Sequence, residues 1–323
     1  MHFPHPILVG DVGGTTTRLA RIQAPGVAPQ NLTPCATSPA ALERAIAAAG
    51  VRSVLLGVAG PAVGRSVSLT NTPVTIDGPD WLRRFGLDQG LLLNDFEAEA
   101  LALPAIGPQQ CRLLAGTTGD HGPRLITGPG TGLGTGVLVD VDGRHLAIGS
   151  EAGHVGFAAE DAEEDAIWAV LRREGRVCPE TILSGSGLAR LHDARLAAHG
   201  LAAGGMDARA LAAAALAAPE SPAAATARLF WRLMGRYAGD MALAFRATGG
   251  VWLTGDLLRA LEPFCDKREL HAAFIAKPPY EDLLRPIPIR LVATPGAALA
   301  GLARIAAQPD DYVIAYRQRC WRP

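Results

Sequence analysis

The stretch ILVGDVGGTTTRLARI, Ile7–Ile22, decides the fold. A short apolar run, Ile7–Val9, ends in Gly10-Asp11-Val12-Gly13-Gly14-Thr15-Thr16-Thr17, and an apolar pattern resumes from Leu19 to Ile22. That reads as strand, tight polar turn, strand. The arrangement recurs downstream, where Leu125–Thr127 enters Gly128-Pro129-Gly130-Thr131-Gly132-Leu133-Gly134 and Val137–Val139 follows. No short repeat period is visible, so the echo predicts two related halves, each offering one glycine turn to a shared cleft. Around the turns, Leu42–Ala49 has helical composition and Ser53–Val58 is β-like. Leu91–Leu93 is a short buried strand leading into Asn94-Asp95 and a helix over 96–103, which Pro104 ends. Helices are also predicted over 163–174, 187–199, 207–217, 223–246 and 297–306, and strands over 251–254 and 289–292. Strands alternating with helices indicate an α/β protein.

Composition narrows the function. The 323 residues are long enough for two domains, and 30 Lys+Arg against 31 Asp+Glu argue against a nucleic-acid binder that works through a basic surface. At 49% hydrophobic residues the chain is too apolar for disorder, yet no window reaches the run of about 18 apolar residues that a membrane span needs. The first residues lack a basic n-region, so no signal peptide is expected. Cys35, Cys111, Cys178, Cys265 and Cys320 are odd in number, widely spread and never spaced C-x-x-C, which predicts reduced thiols in a cytoplasmic protein and no zinc site. Lysine occurs only at Lys267 and Lys277, neither after a glycine, which excludes a Walker A loop and the lysine signature of protein kinases.

The remaining polar residues at the turns suggest chemistry. Glycines beside Thr15–Thr17 let backbone N–H groups and short hydroxyls converge on an anion, although a glycine hairpin turn is more often structural. The second turn does not fit G-x-G-x-x-G, which disfavours a dinucleotide fingerprint. Two such turns with Asp11 beside the first point to a Mg-nucleotide better than either turn does alone. Asp95 is open to two readings: the N-cap of the helix that follows, or a carboxylate at the end of a buried strand that accepts a proton from a substrate hydroxyl. Glu151 and His154 lie across Ala152-Gly153, and Glu180 precedes Ile182-Leu183. His154 alone reads as structural, but Asn94, Asp95, Glu151, His154 and Glu180 together form a set rich in hydrogen-bonding groups and poor in aromatics, which suits a polyhydroxylated ligand.

Six blocks in this order and spacing, LVGDVGGTTTRLA, LLLNDFEAEALALP, GPGTGLGTG, SEAGHVGF, PETILSGSGLARLH and GGVWLTGDLL, resemble the bacterial ATP-dependent glucokinases of the hexokinase/actin-like superfamily, with coverage from about residue 7 to about 305. The resemblance implies an actin-like ATPase (ribonuclease H-like) α/β fold, with a small domain of residues 1–105 plus 296–323 and a large domain of 106–295, around a cleft that closes on sugar. It implies phosphorylation of D-glucose at the 6-hydroxyl with Asp95 as general base, while Asn94, Glu151, His154 and Glu180 hold the other hydroxyls. It further implies that Asp11 reaches Mg²⁺ through water. Gly13, Gly14, Thr15, Gly130 and Thr131 would cradle the phosphates of ATP, Gly249, Gly250 and Gly255 would lie near the adenosine, and the enzyme would be a homodimer.

Three departures from the family stand out. Thr16 replaces the usual Asn of a G-G-T-N turn, Asp256 replaces the last glycine of A-G-G, and Lys277-Pro278-Pro279 replaces Lys-Gly-Arg. For Asp256 an N-cap of the helix 257–261 and a nucleotide contact are both open. The cysteine-rich zinc motif of the related repressor/ORF/kinase family is missing after His154. Two further functional readings remain beside the glucokinase one: a kinase for another hexose or a cyclitol, and a sugar-sensing regulator that has lost turnover.

Overall fold

The computed structural model describes residues 2–62, 64–70, 72–117 and 119–322. Its strands, in chain order, are β1 (Ile7–Val12), β2 (Thr16–Ile22), β3 (Gln30–Asn31), β4 (Cys35–Ala36), β5 (Ser53–Val58), β6 (Ser66–Ser68), β7 (Thr75–Asp77), β8 (Gln89–Asn94), β9 (Cys111–Ala115), β10 (Arg124–Pro129), β11 (Leu133–Val141), β12 (Arg144–Ser150), β13 (Gly250–Leu253), β14 (Ile289–Val292) and β15 (Cys320–Trp321). The chain divides into two compact units, Met1–Gln110 with Gly136–Gly149 and Thr294–Pro323, and Cys111–Thr135 with Ser150–Ala293. The first unit thus takes in residues 106–110, 136–149 and 294–295 beyond the expected small domain; its outermost residues, Met1 and Pro323, lie outside the described ones. The gain has a physical basis. Gly136 packs so closely on the helix Asp95–Ala102 that a Cβ there would lie 2.3 Å from the Phe96 carbonyl oxygen. In addition, Arg144 donates to the carbonyls of Asp310 and Tyr312.

The first unit is built on a sheet in the order β15-β8-β5-β1-β2-β3, with β4 also paired to β2. β1, β5 and β8 run parallel, and β2 returns antiparallel to β1 with Asp11 opposite Arg18. SVLLGV in β5 is buried at every position, the continuous apolar run expected of a parallel strand covered on both faces. The C-terminal helix Ala297–Ala307 lies against the helix Asp95–Ala102, where a Cβ on Gly301 would meet the Ala98 carbonyl oxygen at 2.5 Å. Past it the chain adds β15, antiparallel to β8, and Trp321 is buried beside Trp81. Neither β15 nor its place in the core was evident from the sequence pattern.

The second sheet has the order β12-β11-β10-β13-β14-β9; β10, β13 and β14 are parallel, and β9 closes the edge antiparallel to β14. In the second unit the long helix Pro222–Ala244 packs against Lys267–Ile275 through Gly235 and Gly239, where added Cβ atoms would lie 2.5 and 2.2 Å from the carbonyl oxygens of Leu270 and Phe274. Trp168, Phe230, Trp231 and Tyr237 are among its buried side chains. Among the described residues no helix is long and apolar enough to cross a membrane.

Candidate functional site

In the first unit the predicted residues gather at the leaving ends of β1 and β8. The turn Gly13-Gly14-Thr15 closes with the Gly13 N–H donating to the Thr16 carbonyl at 3.2 Å. Thr37, just after β4, holds it from the side: its hydroxyl donates to the Gly13 carbonyl at 2.7 Å and lies 2.9 Å from the Thr17 hydroxyl, while its N–H donates to the Thr15 carbonyl. Thr15 and Thr16 stay exposed. Asp11 sits two residues before Gly13, with the Arg18 guanidinium 3.7 Å away across the hairpin. Thr37 carried no signal in the sequence, because its partners lie in a turn some 20 residues earlier.

At the end of β8 the helix begins, and the structure settles which residue caps it. Asn94 is the N-cap: its Oδ1 accepts from the N–H groups of Phe96 at 3.0 Å and Glu97 at 3.2 Å, and its Nδ2 donates to the Gly60 carbonyl at 3.1 Å. Glu97 completes a capping box by accepting from the Asn94 N–H. Asp95 is therefore the first helical residue and not the cap. Its Oδ1 accepts from the Phe96 N–H at 2.9 Å. A helix N-terminus favours an anionic carboxylate in that position. Gly57 of β5 makes room for this turn, since a Cβ there would lie 3.0 Å from the Ala98 Cβ and 3.5 Å from the Asp95 Cα. Asn94, expected among the sugar-holding residues, has most of its amide committed to the backbone.

In the second unit the turn between β10 and β11 joins the carboxylate and imidazole candidates. The Glu180 carboxylate accepts from the Leu133 N–H at 2.8 Å through Oε2, and its Oε1 lies 3.8 Å from Nε2 of His154. Gly132 touches the same carboxylate so closely that a Cβ would fall 2.4 Å from Oε2. Gly153, inside the Glu151–His154 turn, packs on the Leu133 carbonyl oxygen at 2.5 Å from its would-be Cβ. Glu151 is exposed at the start of that turn, and its carbonyl accepts from the His154 N–H. The turn itself is closed by the Gly130 N–H donating to the Gly132 carbonyl at 2.8 Å and secured by the Gly185 N–H donating to the Gly130 carbonyl at 3.0 Å. Gly130 and Thr131 are exposed, and a Cβ on Gly130 would meet nothing within 4 Å.

Beneath the turn runs a chain of hydroxyls that the sequence did not reveal. Thr127 donates to the Gly134 carbonyl at 2.7 Å and lies 2.9 Å from the Thr135 hydroxyl, which lies 2.8 Å from that of Tyr237. Burial pushes the Tyr237 phenol up to about 12, so it stays protonated at neutral pH.

The glycines expected near the adenosine separate. Gly255, with φ of 117°, follows β13 and approaches Pro129, whose carbonyl oxygen would lie 2.4 Å from its Cβ. Gly249 and Gly250 do not join it. They sit where β13 begins, Gly250 opposite Arg124 at the entry to β10, which is about 13 Å of strand from the turn at four residues of roughly 3.3 Å each. Gly249 donates to the Pro123 carbonyl, and a Cβ on Gly119 would lie 2.3 Å from the Gly249 carbonyl oxygen. Close backbone packing at that end of the sheet accounts for the pair. Asp256 is likewise not the N-cap of its helix; Gly255 occupies that position, and Asp256 pairs with Arg259 at 2.5 Å one turn on.

A family model described as Glucokinase matches residues 8–309. The chain is 39% identical to a glucokinase of Sinorhizobium medicae, an alignment that covers 99% of this chain and 97% of that one. Among solved structures, a glucokinase from an Antarctic psychrotroph superposes with a TM-score of 0.77 at 29% identity, over 92% of this chain and 97% of that one. A glucokinase from Balamuthia mandrillaris in complex with glucose gives 0.79 at 20% identity, over 94% and 93%. The fold is the actin-like ATPase fold.

Proposed function

The chain belongs to the glucokinase family, and we propose that, in the ATP-dependent phosphorylation of glucose, Asp95 is the general base on the 6-hydroxyl. The observation that carries this assignment is the division of labour at the start of the helix Asp95–Ala102. The Asn94 side chain caps the Phe96 and Glu97 N–H groups and Glu97 accepts from Asn94, so the Asp95 carboxylate, whose Oδ1 shares the Phe96 N–H, is not the cap that holds the helix. As the hydroxyl oxygen attacks the γ-phosphorus, its proton passes to the Asp95 carboxylate and the bond to the bridging oxygen of ADP breaks. Little covalent chemistry is asked of the protein; positioning and charge stabilisation supply the rate.

Glu180, His154 and Glu151 accept and donate to other sugar hydroxyls, with Asn94 adding what its amide retains. Gly13, Gly14 and Thr15 in one unit, and Gly130 and Thr131 in the other, present backbone N–H groups and hydroxyls of the kind that bind phosphates. Gly255, beside the second turn, approaches the nucleoside. Mg²⁺ is bound through one or two carboxylates together with phosphates and water, and a carboxylate beside a phosphate-binding turn fits that donor set. Asp11 is the carboxylate that would hold it, through water, and the ion would neutralise charge on the phosphates. The cytoplasmic setting rests on the odd number and scattered spacing of the five cysteines in the sequence.

The test is Asp95→Asn assayed with glucose and ATP. Turnover should fall by at least about 100-fold, with glucose affinity held within about tenfold. An unaltered rate removes the assignment.

A further inference from the structure

Arg319 stands in the C-terminal tail, 222 positions from Glu97 in sequence, yet it reaches the start of the helix that carries Asp95. Its Nη1 donates to both oxygens of Glu97, at 2.6 and 2.7 Å. Glu97 is the buried third residue of that helix, and its Oε2 also accepts from the Asn94 N–H at 3.4 Å. One carboxylate therefore joins the tail to the cap, and Asp95, the first helical residue, lies between Asn94 and Glu97.

The tail is not loosely attached. The residues after Arg319 form β15, in register with β8 as Cys320 opposite Leu91 and Trp321 opposite Gly90. The Trp321 ring fills space that only glycines leave, because Cβ atoms on Gly78 and Gly90 would lie 2.3 and 2.7 Å from it. Arg319 is thus fixed relative to β8, the strand that delivers Asn94. Burial raises the Glu97 carboxyl above its ordinary value, and the Arg319 charge offsets only part of that rise. An isolated capping box needs no such partner, since it satisfies its two N–H groups with Asn94 and Glu97 alone.

We infer that Arg319 is a positioning residue for phosphoryl transfer: by clamping Glu97 it fixes the first helical turn and so the placement of the Asp95 carboxylate. The inference rests on Asp95 being the general base, and a base misplaced by about 1 Å can lose some 100-fold in rate. A clamp of this kind acts on the chemical step. Sugar affinity, which the reading above assigns mainly to Glu180, His154 and Glu151, should be spared.

The experiment compares full-length Asp95→Asn, Arg319→Leu, Arg319→Lys and Glu97→Gln with the parent chain, measuring kcat and glucose KM per folded molecule at saturating ATP together with a melting curve. Arg319→Leu should lower kcat about tenfold with glucose KM within about twofold, and Arg319→Lys, which keeps one charged donor, should return to within about threefold of the parent. Adding Glu97→Gln to Arg319→Leu should cost no more than Arg319→Leu alone, as expected of two residues acting through one contact. Should Arg319→Leu fail to fold, Arg319→Lys and Glu97→Gln carry the same kcat-against-KM comparison. A lower melting temperature with unchanged kcat per folded molecule, while Asp95→Asn is inactive, overturns the positioning role and leaves the base assignment standing. Turnover by Asp95→Asn overturns both.

Discussion

The hairpin turn of β1 and β2 and the turn between β10 and β11 occupy the same place in their sheets, but they are held by different means. Each sheet lines up a turn-bearing strand pair, two further parallel strands and an antiparallel edge: β2-β1-β5-β8-β15 in one, β11-β10-β13-β14-β9 in the other. The edge strand follows its sheet in the chain in the first case and precedes it in the second. Within this shared plan, the first turn is clamped from the side by Thr37. The second rests on the buried chain Thr127, Thr135 and Tyr237, and carries Glu180 on its Leu133 N–H. The difference teaches that the two turns have separate work. The first has the Asp11 carboxylate beside it, which suits the proposed role towards phosphates and their cation, whereas the second is bonded to Glu180, the carboxylate proposed to hold sugar.

That contrast breaks most sharply under the same substitution in both turns. Gly132→Ala would place a methyl group 2.4 Å from the Glu180 carboxylate, while Gly13→Ala would place one 3.1 Å from the Thr16 carbonyl oxygen. The first must displace Glu180, leaving the Leu133 N–H, and on the proposed assignment a sugar hydroxyl, without an acceptor. Its kcat/KM for glucose should fall by about 100-fold, from roughly two interactions at 1–3 kcal/mol apiece. Gly13→Ala needs a shift of only a few tenths of an ångström and should raise the KM for ATP by less than about tenfold with glucose KM unchanged. Equal effects on both substrates from both variants would show that the turns are not specialised.

A smaller effect is expected from the hydroxyl chain. Tyr237→Phe removes one end of it and leaves Thr135 with Thr127, which should cost about 1 kcal/mol of stability and raise the KM for ATP severalfold. The same residue has a pH signature. The folded phenol is pushed up to about 12 from an ordinary value of 10.0, so above pH 10 the unfolded chain loses its proton first and binds fewer protons than the folded one. Stability must then fall as pH rises from 10 towards 12. Tyr312 is raised to about 12 as well, and Tyr316 is also raised, so the alkaline slope of the parent is a sum, and Tyr237→Phe should remove one contribution of about 2 kcal/mol at most. An unchanged slope in that variant places the burial elsewhere. For the first turn, Thr37→Val should cost about 1 kcal/mol and leave alkaline stability untouched, since threonine does not titrate there.

What could be read in the sequence was whatever depends on neighbours in the chain. Both glycine turns, the buried strand Ser53–Val58, the strand Ile289–Val292 and the start of the helix at Ala297 follow from local apolar runs and punctuation. Contacts across long separations were not legible. Thr135 meets Tyr237, Leu133 meets Glu180 and Glu97 meets Arg319 only once the sheets and helices have assembled. Gly249 and Gly250 show a second limit. They belong to the same sequence block as Gly255, but a strand carries its two termini to opposite ends of the sheet, and nothing in the residue types says which end serves a ligand. The cap at Asn94 shows a third, since either residue of an Asn-Asp pair can cap a helix and only backbone geometry chooses.

The smallest effect comes from comparing two helix starts that look alike in sequence, Asn94-Asp95 after β8 and Gly255-Asp256 after β13. In the first, a side chain caps the helix and the aspartate follows it, partly buried. In the second, the cap is a bare glycine with φ of 117°, and Asp256 is 68% exposed in an ion pair with Arg259. An exposed pair one turn apart contributes about 0–1 kcal/mol, and a carboxylate in a helix's first turn adds a few tenths more. Arg259 has a second partner in the Val292 carbonyl and keeps its place without the aspartate. Asp256→Asn should therefore leave the KM for ATP within about twofold and shift the melting temperature by no more than a few degrees. The same exchange at Asp95 should lower turnover by at least about 100-fold. A lowered KM for ATP in Asp256→Asn would mean that the carboxylate turns towards the nucleotide and repels its phosphates, and Gly255-Asp256 would then belong to the binding site as a unit and not through its glycine alone.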